Sequence, residues 1–145
     1  MSENVRLAKL GDLSGLLALL QQIKPEEKTN VETSRLEKTM SEIIGNKNHY
    51  IAVYELDNRL VGTATLIIQL NLTHDGRPYG HIENVVTDKE YRGRGVGKGL
   101  MDFLIKEAKE RGCYKLVLDC AKDKIPFYEK CGFDAKGSVE MRMDL

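Results

Sequence analysis

The segment Arg92-Gly93-Arg94-Gly95-Val96-Gly97-Lys98 holds the residue types best suited to gripping an anion. It follows Ile82-Glu83-Asn84-Val85-Val86-Thr87, which reads as a strand, and a polar turn, Asp88-Lys89-Glu90-Tyr91. It opens a stretch of helical periodicity. The first N–H groups of a helix have no partner within it and sit at the positive end of its dipole. Glycines remove the Cβ atoms that would keep a ligand from those groups. Arg92, Arg94 and Lys98 add full positive charges, so the sum is a site for a phosphate or pyrophosphate. Glycines cost a helix interior about 1 kcal/mol each, and a purely structural turn rarely needs Gly93, Gly95, Gly97 and Gly99 together.

Two better-known phosphate motifs fit these residues worse. A P-loop requires Gly-x-x-x-x-Gly-Lys-Ser/Thr, but Gly93 to Gly97 is one residue short and Gly99 stands where the metal-binding hydroxyl belongs. A dinucleotide turn follows directly on the first strand of a βαβ series. Here the strand ends several residues before Gly93, and too little chain follows for such a series.

The elements that must position this turn can be read from periodicity. Val5 and Leu7 alternate with Arg6 and Ala8, a short strand over residues 4–9. Leu13, Leu16, Leu17 and Leu20 form a helical stripe, with Asp12 placed to cap it. Polar residues around Lys24-Pro25-Glu26-Glu27-Lys28 break the pattern. A second helix spans residues 32–44, carrying Leu36, Met40, Ile43 and Ile44 and stopping at Gly45-Asn46. Strands over 49–56 and 60–70 form a hairpin around Asp57-Asn58-Arg59, and a third runs over 79–87. A long helix over 96–111 buries Val96, Leu100, Phe103, Leu104 and Ala108 and ends at Gly112 in a left-handed cap. Then come a strand over 114–119, a short helix over 123–131 with Pro126 in its first turn, and a closing strand over 139–143. This order predicts a mixed sheet with helices on both faces.

Length and composition agree with one such domain across residues 1–145. Apolar residues make up 41% and charged residues 30%, an ordinary globular balance. Basic and acidic residues number 22 each, so no overall field draws the chain to nucleic acid. No apolar run approaches the roughly 20 residues of a membrane span. The start Met1-Ser2-Glu3-Asn4 has neither a basic leader nor a signal core. Cys113, Cys120 and Cys131 are odd in number and lack metal-ligand spacing, which suits a reducing compartment. The expectation is a cytoplasmic protein without a metal.

Arg92-Gly93-Arg94-Gly95-Val96-Gly97 resembles the Arg/Gln-x-x-Gly-x-Gly/Ala signature of the GNAT superfamily of N-acetyltransferases. The preceding strand and the later Phe127-Tyr128-Glu129-Lys130-Cys131-Gly132-Phe133 are similar to that superfamily's flanking segments. The resemblance implies the acyl-CoA N-acyltransferase fold: a mixed, mostly antiparallel sheet with a splayed central strand. It also implies acetyl-CoA as cosubstrate, its pyrophosphate on the amides of Arg92 to Lys98 and its pantetheine beside Val85, Val86 and Thr87. Phe127, Tyr128 and Lys130 join the cofactor-binding set on the same ground. A backbone N–H near Val86 would polarise the thioester carbonyl.

Acetyl transfer requires a neutral amine, a stabilised oxyanion and a proton for the departing thiolate. Tyr128 resembles the superfamily tyrosine beside the sulfur, and a phenol with a pKa near 10 is protonated at neutral pH. Read from helical pattern alone, Tyr128 is a half-buried aromatic. Glu83 could take the amine proton or hold the amine; its bland reading is a solvated strand carboxylate. Asp119 could orient the nucleophile or serve a turn.

Gly80-His81-Ile82-Glu83-Asn84-Val85-Val86 and Gly112-Cys113-Tyr114-Lys115-Leu116-Val117-Leu118-Asp119-Cys120 further resemble glucosamine 6-phosphate N-acetyltransferases. That group implies Glu83, Asp119 and Tyr128 as catalytic residues, and His74, Glu83, Asn84 and Asp119 at the acceptor. Three positions depart from it. Asn84 replaces an acid, Asn71 stands where a basic residue is usual, and the chain ends Met143-Asp144-Leu145 with Arg142 displaced. The loss of two cations argues for a different acceptor from the phosphosugar. The expected function is transfer of acetyl to a primary amine of a small molecule such as an amino sugar, through a ternary complex. The alternatives are a protein lysine or N-terminal acetyltransferase and a non-catalytic acetyl-CoA sensor. A homodimer is expected by analogy, with neither nucleic acid nor membrane as partner.

Overall fold

The computed structural model describes residues 4–25 and 32–145. Its elements are β1 (Val5–Leu7), α1 (Leu13–Gln21), α2 (Thr33–Ile44), β2 (His49–Leu56), β3 (Arg59–Gln69), β4 (Tyr79–Thr87), α3 (Val96–Glu110), β5 (Leu116–Val117) and α4 (Ile125–Lys130). The strands form one sheet in the order β1-β2-β3-β4-β5. The first three pairings are antiparallel and β4–β5 is parallel. The anticipated mixed, mostly antiparallel sheet is present; Glu26, Glu27 and Lys28 of the polar break and Met1 to Glu3 lie outside the described residues.

Asp57 and Asn58 both take positive φ, which turns the chain tightly from β2 into β3. α3 lies on one face, burying Val96, Leu100, Met101, Leu104 and Ala108 against Ala52, Val61, Leu66 and Ile82. Its close approach depends on Gly62, where a Cβ would meet Val96 Cγ1 at 2.5 Å. α1 and α2 cover the other face through Leu16 and Met40 on Val53. Gly112 takes φ +79°, the left-handed stop anticipated for α3.

Several local expectations are corrected. The buried residues of α1 are Leu16 and Leu19, while Leu17 and Leu20 are half-buried. Asp12 does not cap α1; its carboxylate accepts from the Lys9 amide at 2.7 Å and from Arg6 at 2.7 and 3.0 Å. The strand expected over 114–119 pairs only at Leu116 and Val117. The closing strand over 139–143 does not form. A strand persists only where its amides find a partner, and none among the described residues pairs with these, whose Val139, Met141 and Met143 are 84%, 93% and 83% exposed.

Candidate active site

β4 and β5 pair only as Gly80 with Leu116 and His81 with Val117. Gly80 permits that approach, since a Cβ there would meet Leu116 Cδ2 at 2.5 Å. Beyond Val117 the two strands part, and a cavity of about 310 Å³ opens between them. Glu83, Asn84 and Val85 line it from β4, Asp119, Cys120 and Ala121 from the segment after β5, and Lys124 and Tyr128 from the approach to α4 and α4 itself. Ile23 closes one side from beyond α1.

A bulge in β4 shapes the cavity wall. Thr65 pairs with Glu83 and Thr63 with Val86, so Asn84 and Val85 together face the single residue Ala64. Asn84 takes φ +51°, a conformation that asparagine tolerates better than most residues. Strict alternation would send Glu83 and Asn84 to opposite faces. The bulge instead leaves both exposed and both in the cavity.

Tyr128 is held by its neighbours in α4 and after it. Its ring lies edge-on to Phe127 at 4.9 Å and to Phe133 at 6.1 Å, and its carbonyl accepts from the Phe133 amide at 3.0 Å. Burial raises its phenol above the ordinary value, and the nearby Cys120 and Cys131 add to the rise. The hydroxyl therefore keeps its proton throughout the neutral range, as a proton donor must.

The glycine turn is built by residues the sequence did not announce. The Asp88 side chain, 6% exposed, accepts from the Glu90 amide at 3.0 Å and from Arg59 at 2.9 Å. The amide contact, helped by smaller contributions from Arg59 and Gln22, holds its carboxyl below the usual range against the opposing effect of burial. The Arg59 and Arg94 guanidinium groups lie 5.5 and 5.1 Å from the Tyr91 ring. Gly93 and Gly95 take φ +76° and +81°, and a Cβ at either would meet nothing within 4 Å. Their contribution is the turn itself, delivered to the N-terminus of α3 with open space above it. Gly97 serves differently: a Cβ there would meet the Phe127 ring at 2.9 Å, so it seats α4 against α3. Lys98 is turned along the helix to Asp102 at 2.7 Å.

This arrangement passes the test of fit for a coenzyme A diphosphate. The amides around Gly95 to Lys98 stand at a helix start, the left-handed glycines leave the approach clear, and among the described residues no strand pairs with β4 beyond His81 on its β5 side. The structure gathers Glu83, Asn84, Val85, Asp119 and Tyr128 in one cavity, with Val86 and Thr87 continuing β4 toward the turn. Phe127 packs on Gly97, and Lys130 is exposed at the end of α4. His74 is not among the cavity residues. It stacks on Tyr114 at 3.9 Å, at the other end of β4, through a turn in which His74, Asp75 and Gly76 all take positive φ. Among the cavity residues the sequence did not single out, Lys124 carries a legible signal, its spacing of four from Tyr128. Ile23 carries none, because only tertiary packing brings it there.

Residues 16–133 match the model of the Acetyltransferase (GNAT) family. A glucosamine 6-phosphate N-acetyltransferase of Arabidopsis thaliana is 32% identical over 97% of this chain and 97% of its own length. A crystal structure of a glucosamine 6-phosphate N-acetyltransferase from Arabidopsis thaliana, 31% identical, superposes with a TM-score of 0.89, covering 97% of this chain and 96% of that one. A glucosamine 6-phosphate N-acetyltransferase of Trypanosoma brucei brucei is 49% identical over 60% of this chain, a match that spans 58% of that protein. A predicted acetyltransferase of Clostridium acetobutylicum, solved with acetyl-CoA, is 28% identical over 96% of this chain and 95% of its own, with a TM-score of 0.74.

Proposed function

Because this chain belongs to the Acetyltransferase (GNAT) family, we propose that it carries an acetyl group from acetyl-CoA to the primary amine of an amino sugar. Its activity class is acetyl-CoA-dependent N-acetyl transfer. The acceptor and the roles of single residues are our reading. It draws on relatives named for glucosamine 6-phosphate. The observation that carries it is the parting of β4 and β5, which brings Glu83, Asp119 and Tyr128 to one cavity on the strand leading into the glycine turn.

Acetyl-CoA supplies the activated acyl group and a thiolate leaving group. The amides of Arg92, Gly93, Arg94, Gly95, Val96, Gly97 and Lys98 hold its diphosphate, and the free edge of β4 at Val85, Val86 and Thr87 takes its pantetheine. Phe127 and Lys130 flank it. Glu83 removes the amine proton, directly or through water, while Asp119 and Asn84 hold the amine in line. A backbone N–H near Val86 donates to the carbonyl oxygen as charge develops. Tyr128 gives its proton to the departing sulfur. The chain acts as one domain in a cytoplasmic homodimer. The exposed apolar residues of the C-terminal segment support the dimer, and three unpaired cysteines support a reducing compartment.

A thiol-release assay with glucosamine, glucosamine 6-phosphate and a lysine peptide tests this reading. An amino sugar should give thiol in step with N-acetyl product. Tight acetyl-CoA binding without release on either sugar, or preference for the peptide, would overturn it.

A further inference from the structure

The turn that precedes the glycine cluster is fastened from a distant part of the chain. Lys89–Tyr91 form one 3-10 turn, and the first amides of such a turn lack partners within it. Asp88 caps the Glu90 amide with its own carboxylate at 3.0 Å. The Lys89 amide is met by Gln22, 67 residues away in the chain, whose Oε1 accepts from it at 3.2 Å. The same Gln22 side chain bonds the Asp88 carboxylate and helps to hold it charged. A side-chain amide can serve both partners at once, because it carries an acceptor and donors on one plane.

Gln22 is also the residue that closes α1, its own N–H donating to the Leu19 carbonyl at 3.0 Å. Ile23, next in the chain, donates to the Leu20 carbonyl at 3.1 Å and lines the cavity between β4 and β5 with Glu83 and Tyr128. α1 is a firm support for both. Leu16 packs on Val53, and Gly15 lies so close to the sheet that a Cβ there would meet Leu60 Cδ1 at 3.1 Å. Two adjacent residues at one helix end therefore reach two places: Gln22 the turn leading into Arg92 to Lys98, and Ile23 the cavity that holds Tyr128. A ligand spanning both places gains when their spacing is fixed beforehand, since that order need not be imposed at binding.

We infer that Gln22 is a positioning residue for acetyl-CoA: it ties the glycine turn to the end of α1, so that the diphosphate site and the Ile23 wall of the cavity keep one spacing. This rests on the reading of the turn as the diphosphate site and adds the side chain that aims it. Gln22 acts through the Asp88–Tyr91 turn and not on the acyl group itself.

Gln22→Met keeps the bulk of the side chain and removes both polar contacts. In the unliganded protein the Lys89 amide should exchange hydrogen faster in this variant than in the wild type. By calorimetry, acetyl-CoA should bind the variant roughly 5-fold more weakly or worse, the loss of hydrogen bonds that water partly replaces. With the preferred amino sugar of the assay above, KM for acetyl-CoA should rise in step while kcat stays within about twofold, a split that general loosening of the fold would not give. Acetyl-CoA should also slow exchange at Ile23 in the wild type. In Gln22→Met that slowing should disappear while slowing at Gly95 to Lys98 persists. An acetyl-CoA affinity within about twofold of the wild type, or equal slowing at Ile23 in both proteins, overturns the inference. If no amino sugar is acetylated, the acceptor reading fails, and binding and exchange still decide for Gln22. If acetyl-CoA slows no exchange across Arg92 to Lys98 of the wild type, the turn is not the diphosphate site and both readings fall.

Discussion

Tyr128 and Asp88 show how single groups are prepared for different tasks. Burial that lifts the Tyr128 phenol keeps it a donor. Tyr128→Phe should therefore lower kcat by about 10²-fold, the lower end of general acid assistance, while the KM for acetyl-CoA changes little. A fall of less than about threefold would mean that the thiolate leaves without this proton. Asp88 is prepared to stay charged, held down by the Glu90 amide and Arg59. Asp12 is held down likewise, chiefly by Arg6. A depressed folded pKa contributes stability that is complete above the unfolded carboxylate value, about 3.9, and is lost as pH falls through the lower folded value. The two carboxylates' contribution to the melting temperature should thus be flat from pH 7 to about 5 and drop below about 4, while His49, whose imidazole is held below its ordinary value by burial, adds a separate loss as pH falls below about 6.5. In Asp88→Asn that drop should be smaller and the neutral-pH melting temperature lower; an unchanged acid limb would remove Asp88 from the account. That Glu83, Asp119 and Tyr128 share one cavity was legible in the sequence through the family motifs they resemble. Asp88 was not, since its value lies in a contact with Arg59, 29 residues away.

At the scale of elements, legibility followed how much each depends on itself. α3 could be read almost to its ends, because apolar residues at helical spacing and a terminal glycine are local signals. β5 could not: Tyr114 to Asp119 carries strand character throughout, yet only two of its residues pair because β4 turns away. The β4 bulge was equally hidden, since nothing in Glu83-Asn84-Val85 shows that two residues oppose one until β3 is beside them. The glycines of the turn looked alike in sequence and divide in the structure. Gly95 is a left-handed residue with open space around it, whereas Gly97 is a contact with Phe127. Gly95→Ala should cost about 1–2 kcal/mol of backbone strain, appearing as weaker acetyl-CoA binding by calorimetry. Gly97→Ala should push Phe127, and Tyr128 with it, away from α3. Its kcat should fall more than its acetyl-CoA affinity. If the two variants lose binding and turnover in the same proportion, the division is wrong.

The whole molecule leaves one element without a role inside a single chain. Val139, Met141, Met143 and Leu145 alternate with Glu140, Arg142 and Asp144, and the four apolar side chains are 84%, 93%, 83% and 115% exposed. Alternation at this period is the pattern of a strand with one buried face. Keeping such side chains in water forgoes roughly 1.5–3 kcal/mol for each that burial would contribute. The pattern of a strand is therefore present where no strand forms, and the homodimer proposed above would supply a partner for it from a second copy. The glycine turn and the β4–β5 cavity are each assembled from one chain, so cofactor binding and assembly should separate. Sedimentation equilibrium should find the native protein dimeric and a Val139→Asp/Met141→Asp variant monomeric, because two buried carboxylates at a strand interface would each lose solvation without a partner. The variant should still bind acetyl-CoA with an affinity within about threefold of the native protein, a difference below 1 kcal/mol. A native protein that sediments as a monomer at all concentrations would remove the second copy from the proposal and leave the apolar face of this segment to another partner.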